Sequence, residues 1–215
     1  MVKFLTEGFG TLLLVFAIGI STDPIAAGLM LMILLYIGYS FADVHLNPAV
    51  SIGVWTLGKD STSTLMSRVA GQFTGAFCGA YLTLWIALIP YVPEPASSVS
   101  VAMFIFLELL FSGLFVLLFL LMVFPATKRV RSISVGIIGI GFTACLMVIE
   151  PLIGFGMHPA FNSAFSFVDY MQGGSSYMHL PVYLFTPLVA GILVALIQKQ
   201  LLLPEKEEKK ELSQY

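Results

Sequence analysis

Apolar residues run through this chain in long blocks, without the period-two or period-3.6 alternation of a half-buried strand or surface helix. Six blocks are long enough to cross the hydrocarbon core of a bilayer as helices, which takes roughly 20 mostly apolar residues: about 4–21, 25–42, 66–90, 99–124, 133–153 and 180–203. Two shorter apolar pieces lie between them, NPAVSIGVWTL from Asn47 and HPAFNSAFSFV from His158. Neither is long enough to cross alone, but two half-length helices meeting tip to tip can share one crossing. A histidine, a proline and an asparagine within such apolar surroundings are costly unless each has a partner or a task.

Composition supports this reading. Of 215 residues, 58% are hydrophobic and only 10% charged, with a mean hydropathy of +0.96, whereas a soluble domain carries about 25% charged residues. The pattern predicts an all-α integral membrane protein. The formal net charge of −2 says nothing about nucleic acid, and no basic patch is rich enough to hold one, so no nucleic-acid partner is expected. Cys78 and Cys145 fall inside apolar runs and read as small buried hydrophobes, with no disulfide framework and no metal-ligand spacing. There is no Gly-rich phosphate loop and no nucleophile paired with a base, so neither an enzyme nor a cofactor is expected. The first block, with Glu7 at its head, reads as a retained span and not as a cleaved signal.

Charge placement sets the orientation. The ten basic residues fall at the N-terminus (Lys3), after the second span (Lys59, Arg68), after the fourth (Lys128, Arg129, Arg131) and at the C-terminal end (Lys199, Lys206, Lys209, Lys210). By the positive-inside rule both termini are cytoplasmic. Residues 1–203 then form one domain, and 204–215 a solvated cytoplasmic tail.

The halves also repeat. Thr11 follows Glu7 by four residues as Ser112 follows Glu108, and NPAV at 47–50 answers to HPAF at 158–161. Three spans separate the copies, so the halves, about 1–97 and 98–203, sit inverted in the membrane, an arrangement found in transport proteins. Proline at the first helical position sacrifices no needed donor, and each half-helix presents free N–H groups at its start. Two such ends at mid-membrane concentrate positive partial charge, which repels cations and hydronium while neutral hydrogen-bonding solutes pass. Non-helical backbone at that depth is tolerated only where protein buries it or it lines a watery cavity.

The segments TEGFGTLLLVF, HLNPAVSIG, GQFTGAFCGAYL, IGIGFTA and VYLFTPLVAGILVA together resemble the successive motifs of the aquaporin, or major intrinsic protein, family. The resemblance covers nearly the whole chain and is strongest in the first half. It implies six transmembrane helices plus two re-entrant half-helices, and a homotetramer in membrane lipid with one pore per protomer. It also implies that Asn47 presents its amide to a single file of solute while Pro48 and Ala49 pack on the opposite half-helix. Pro159 and Ala160 match the second copy of that motif, with His158 in place of its asparagine. Glu7 and Glu108 are then expected to accept hydrogen bonds from the re-entrant backbone, with Gln72 a buried structural partner and His45 either bracing the first loop or facing the cytoplasmic vestibule. The small face of Gly71, Gly75 and Gly79, with Gly191 on the sixth span, is expected to pack helices closely.

The outer selectivity filter implied by the resemblance departs from the family pattern. Phe161 stands where relatives carry an arginine, Ala27 where they carry an aromatic residue, and Phe155 at the loop position. The fifth-span position falls on Leu146 or, in another register, on Val148. Each choice gives an apolar filter. The expectation is a passive channel for water or small uncharged solutes. Two alternatives stand beside it: a poorly conducting structural membrane protein, or a proton-permeable or pH-gated pore involving His158, whose imidazole is expected to be neutral at physiological pH. The first-half resemblance suggests a bacterial inner membrane, with a eukaryotic internal membrane as the alternative.

Overall fold

The computed structural model describes residues 1–88, 91–124 and 131–202. The chain there forms eight α-helices: α1 (Val2–Ser21), α2 (Pro24–Gly38), α3 (Pro48–Thr56), α4 (Thr62–Ala87), α5 (Val101–Val123), α6 (Arg131–Ile153), α7 (Pro159–Met171) and α8 (Leu180–Leu202), with a 3-10 turn at Ser176–His179 before α8. Local chemistry sets several starts. Asp23 caps α2 by accepting from the Ile25 N–H, with Pro24 at the first helical position, and Ser61 and Ser100 cap α4 and α5 by accepting from the Thr64 and Met103 N–H groups.

Four helical segments, 2–21, 101–123, 133–153 and 176–200, are by themselves long and apolar enough to span a bilayer. The other two predicted spans deviate for identifiable reasons. The second was expected to reach residue 42, but α2 stops at Gly38. The chain turns there, with Ser40 N–H donating to the Ile37 carbonyl and Ala42 N–H to that of Gly38, and it descends into the bundle to start α3. α4 is long but carries Gly, Thr and Arg on the face it buries. The C-terminal tail and the loop holding Lys128 and Arg129 lie outside the described residues.

The packing follows the repeat. α1 lies mainly on α4 and α5 on α8, while α3 docks on α8 and α7 on α4. Exchanging the halves turns each pair into the other, and the α2–α6 contact maps onto itself, as an inverted repeat requires. Glycines permit the closest approaches: a Cβ on Gly75 would collide with the Gly8 carbonyl, one on Gly79 would sit 2.6 Å from the Leu12 carbonyl, and one on Gly191 would collide with the Ala49 carbonyl. The small faces read from the sequence therefore bring α4 onto α1 and α8 onto α3.

Candidate functional site

The two half-helices meet tip to tip inside the bundle. Leu46 and Met157, one residue before each N-terminal cap, both adopt left-handed backbone (φ 55° and 67°), unfavourable for L-residues with large side chains. The resulting geometry aims each carbonyl across the junction. Asn47 donates from Nδ2 to the Met157 carbonyl at 2.9 Å, and His158 Nε2 lies 2.8 Å from the Leu46 carbonyl. The opposite end of each cap side chain holds its own helix: Asn47 Oδ1 accepts from the Ala49 N–H at 2.8 Å, and His158 Nδ1 from the Phe161 N–H at 3.2 Å.

This geometry fixes the state of His158. A carbonyl can only accept, so Nε2 carries the proton, and a backbone N–H can only donate, so Nδ1 does not. The neutral Nε2–H tautomer satisfies both contacts. Histidine thus reproduces what asparagine does in the other copy, one acceptor toward its own helix and one donor toward the facing loop. The difference is in spare capacity: asparagine has a second amide hydrogen, whereas the neutral imidazole has a single N–H.

Two buried glutamates anchor the loops that carry these residues, and they are provisioned unequally. Glu7 accepts from the backbone N–H groups of His45 and Leu46, each at 2.8 Å, from Gln72 Nε2 at 2.8 Å and from Arg68 Nη1 at 2.7 Å. Gln72 gives its other amide hydrogen to Ser51 Oγ at 2.9 Å, which in turn lies 3.0 Å from His45 Nδ1. Glu108 accepts from the Met157 N–H at 2.8 Å, and its Oε2 has no partner among the described residues. Both carboxylates thus accept from backbone N–H groups of the loop before a half-helix, with the first copy far more densely tied.

Arg68 supplies much of that difference. The sequence reading counted it only as a charge marking orientation, yet it is 1% exposed, bonding Glu7, Asp60 Oδ2 at 2.7 Å and the Asp43 carbonyl. Its spacing of four from Gln72 on α4 was the available signal, since that places both on one helix face. With Asp43, His45, Lys59, Asp60 and Phe124 it lines a cavity of about 330 Å³ on the side bearing Lys3 and Lys59, which reaches to within two residues of Asn47.

Buried aromatic side chains fill the opposite side. Phe155, Phe161 and Phe165 are 2%, 0% and 0% exposed. Phe155 and Phe161 stand 6.0 Å apart between ring centroids, and Phe161 and Phe165 4.8 Å. Tyr91, from the segment between α4 and α5, packs on all three at 5.4–5.7 Å and accepts from the Phe155 N–H at 3.0 Å. Asn162 Nδ2 holds the Phe155 carbonyl at 3.0 Å. Ala27 and Leu146 are also fully buried, as are Pro48, Ala49, Pro159 and Ala160 at the junction.

Val148 is not in this interior. It is 55% exposed and lies about 200° around α6 from Leu146, so the register that carried the filter position to Val148 points that side chain away from the interior, whereas Leu146 is buried there. Tyr91 and Phe165 escaped the sequence reading because nothing in their local pattern separates them from other aromatic residues. Only the fold brings the α4–α5 segment over α7.

Comparison with known proteins agrees with this architecture. The model of the family described as Major intrinsic protein matches residues 1–198. The aquaporin AqpM of Methanothermobacter marburgensis is 26% identical over 168 residues, 73% of this chain and 67% of that protein. A probable aquaporin of Arabidopsis thaliana, TIP5-1, is 26% identical over 197 residues, 89% of this chain and 73% of its own. Among solved structures, the aquaglyceroporin from Plasmodium falciparum superposes with a TM-score of 0.83 at 20% identity, covering 94% of this chain and 96% of that one. The chain is therefore a multi-pass integral membrane protein that belongs to the major intrinsic protein family.

Proposed function

We propose that the protein is a passive channel for small uncharged solutes, driven only by concentration or osmotic gradients. The junction of the half-helices carries this reading. Two helix N-termini converge at mid-membrane beside non-helical backbone that aims its carbonyls inward, a polar seam at a depth where such backbone occurs only buried in protein or lining a watery cavity. Their dipoles disfavour cations there. Asn47 spends one amide hydrogen on Met157, which leaves the other for a passing solute, while His158 offers none. The relatives named aquaporin and aquaglyceroporin support water or a polyol-sized solute as cargo. The distribution of basic residues supports both termini in the cytoplasm, with the 330 Å³ cavity as the inner vestibule, and the family supports a homotetramer with one pathway per protomer.

The full use of both His158 nitrogens favours a structural role for that residue over a pH gate. The packed aromatic side favours low resting water flux. Purified protein in proteoliposomes, subjected to hyperosmotic shock in a stopped-flow instrument with glycerol uptake and an internal pH dye followed in parallel, tests the reading. Flux of at least one neutral solute above empty vesicles, without proton movement, is expected. Proton flux, or no flux of water, glycerol or ammonia in the wild type and in Phe161→Ala alike, would overturn it.

A further inference from the structure

The aromatic closure has two kinds of member. Phe161 and Phe165 belong to α7, and the backbone of Phe155 is tied by Asn162; all three rings are packed on every side, at 2% exposure or less. Tyr91 belongs to a connecting segment. That segment is anchored downstream, where Ala96 N–H donates to the Leu152 carbonyl at 2.8 Å, but the ring itself is held over the phenylalanines by one hydrogen bond to its oxygen and by ring contacts. It is also only half-buried, whereas the phenylalanines beneath it are 2% exposed or less. Its hydroxyl is the one side-chain polar group among the four rings, and it faces the Phe155 backbone.

We propose that Tyr91 is the specificity-determining residue of the outer half of the pathway. Its ring completes a dry closure that admits only small solutes needing no hydrogen-bond partner, and its outward rotation is what admits water and polyols. A solute entering between the rings sheds hydration with no replacement partner, so water is penalised more than a dissolved gas. Rotation of Tyr91 breaks one hydrogen bond and three ring contacts without displacing α7. This assignment rests on the channel reading above.

The test compares Tyr91→Ala, Tyr91→Leu, Tyr91→Phe and Phe161→Ala with the wild type in proteoliposomes, with the amount of folded oligomer matched by size-exclusion chromatography. Osmotic water permeability and glycerol uptake are read on the same vesicles. Each ring contact is worth about a two- to tenfold change in a population. Tyr91→Ala and Tyr91→Leu are expected to raise water permeability by roughly that range or more and to raise glycerol uptake relative to water. Tyr91→Phe, which keeps the ring, should show the smaller increase. If Phe161→Ala raises flux while both Tyr91→Ala and Tyr91→Leu stay at the wild-type level, the role of Tyr91 is overturned and the pathway stands. If none of the four variants alters any flux, the pathway itself is misplaced and both readings fall.

Discussion

Replacing His158 separates its role as a brace from any role as a proton-bearing gate. In His158→Leu the side chain keeps similar bulk but loses both nitrogens, so the Leu46 carbonyl and the Phe161 N–H, bonded at 2.8 and 3.2 Å, are left without partners in a site where His158 is 2% exposed. Side-chain hydrogen bonds in membrane proteins average about 0.6 kcal/mol, which sets a floor near 1 kcal/mol for two. Leaving two buried polar groups unsatisfied, at about 1–3 kcal/mol each, sets a ceiling near 6 kcal/mol. His158→Asn should stay within about 1 kcal/mol of the wild type, since an asparagine in the same cap position already makes the equivalent pair of bonds at Asn47. Equilibrium unfolding in mixed micelles of dodecylmaltoside and SDS measures both variants, with Trp55, on half-helix α3, as the fluorescent reporter. A His158→Leu variant as stable as the wild type, or a His158→Asn variant destabilised as much as His158→Leu, would refute the brace.

Arg68→Met removes the one side-chain cation that, among the described residues, pairs with Glu7, and leaves that carboxylate and Asp60 without their guanidinium; breaking a buried pair on one side costs about 3–5 kcal/mol, read as a fall in the SDS fraction at half-unfolding, and Arg68→Lys should recover part of it. Gly75→Ala forces a methyl against the Gly8 carbonyl and should cost about 1–3 kcal/mol by overpacking, whereas Gly136→Ala, whose new methyl would find its nearest atom, Met32 Sδ, at 4.0 Å, should change stability by no more than about 0.5 kcal/mol in the same assay.

Much of the fold was legible because the membrane leaves few choices. Block lengths gave six spans and two half-spans, and the paired Glu7–Thr11 and Glu108–Ser112 spacings gave the inverted halves that the α1–α4 and α5–α8 packing then displays. Asn47, His158 and both glutamates stood out because each is polar in an apolar run. What escaped had the opposite character. Arg68 sits at the start of a span, where a basic residue is ordinary, and its burial depends on Asp60 and Glu7 arriving from other elements. Tyr91 acquires meaning only when its segment folds over α7, and one aromatic residue among many carries no local mark. The choice between Leu146 and Val148 turned on helix rotation, which a register shift of two residues reverses and only packing decides.

The central claim is that the caps of two half-helices hold each other across the middle of the membrane. A density map of the protein in lipid nanodiscs, at a resolution that places side chains, tests it most directly. The account predicts the Asn47 amide within hydrogen-bonding distance of the Met157 carbonyl and the His158 ring within the same reach of the Leu46 carbonyl, near the 2.9 and 2.8 Å found here. Half-helices whose tips are separated, with lipid or another helix between Asn47 and His158, would contradict it.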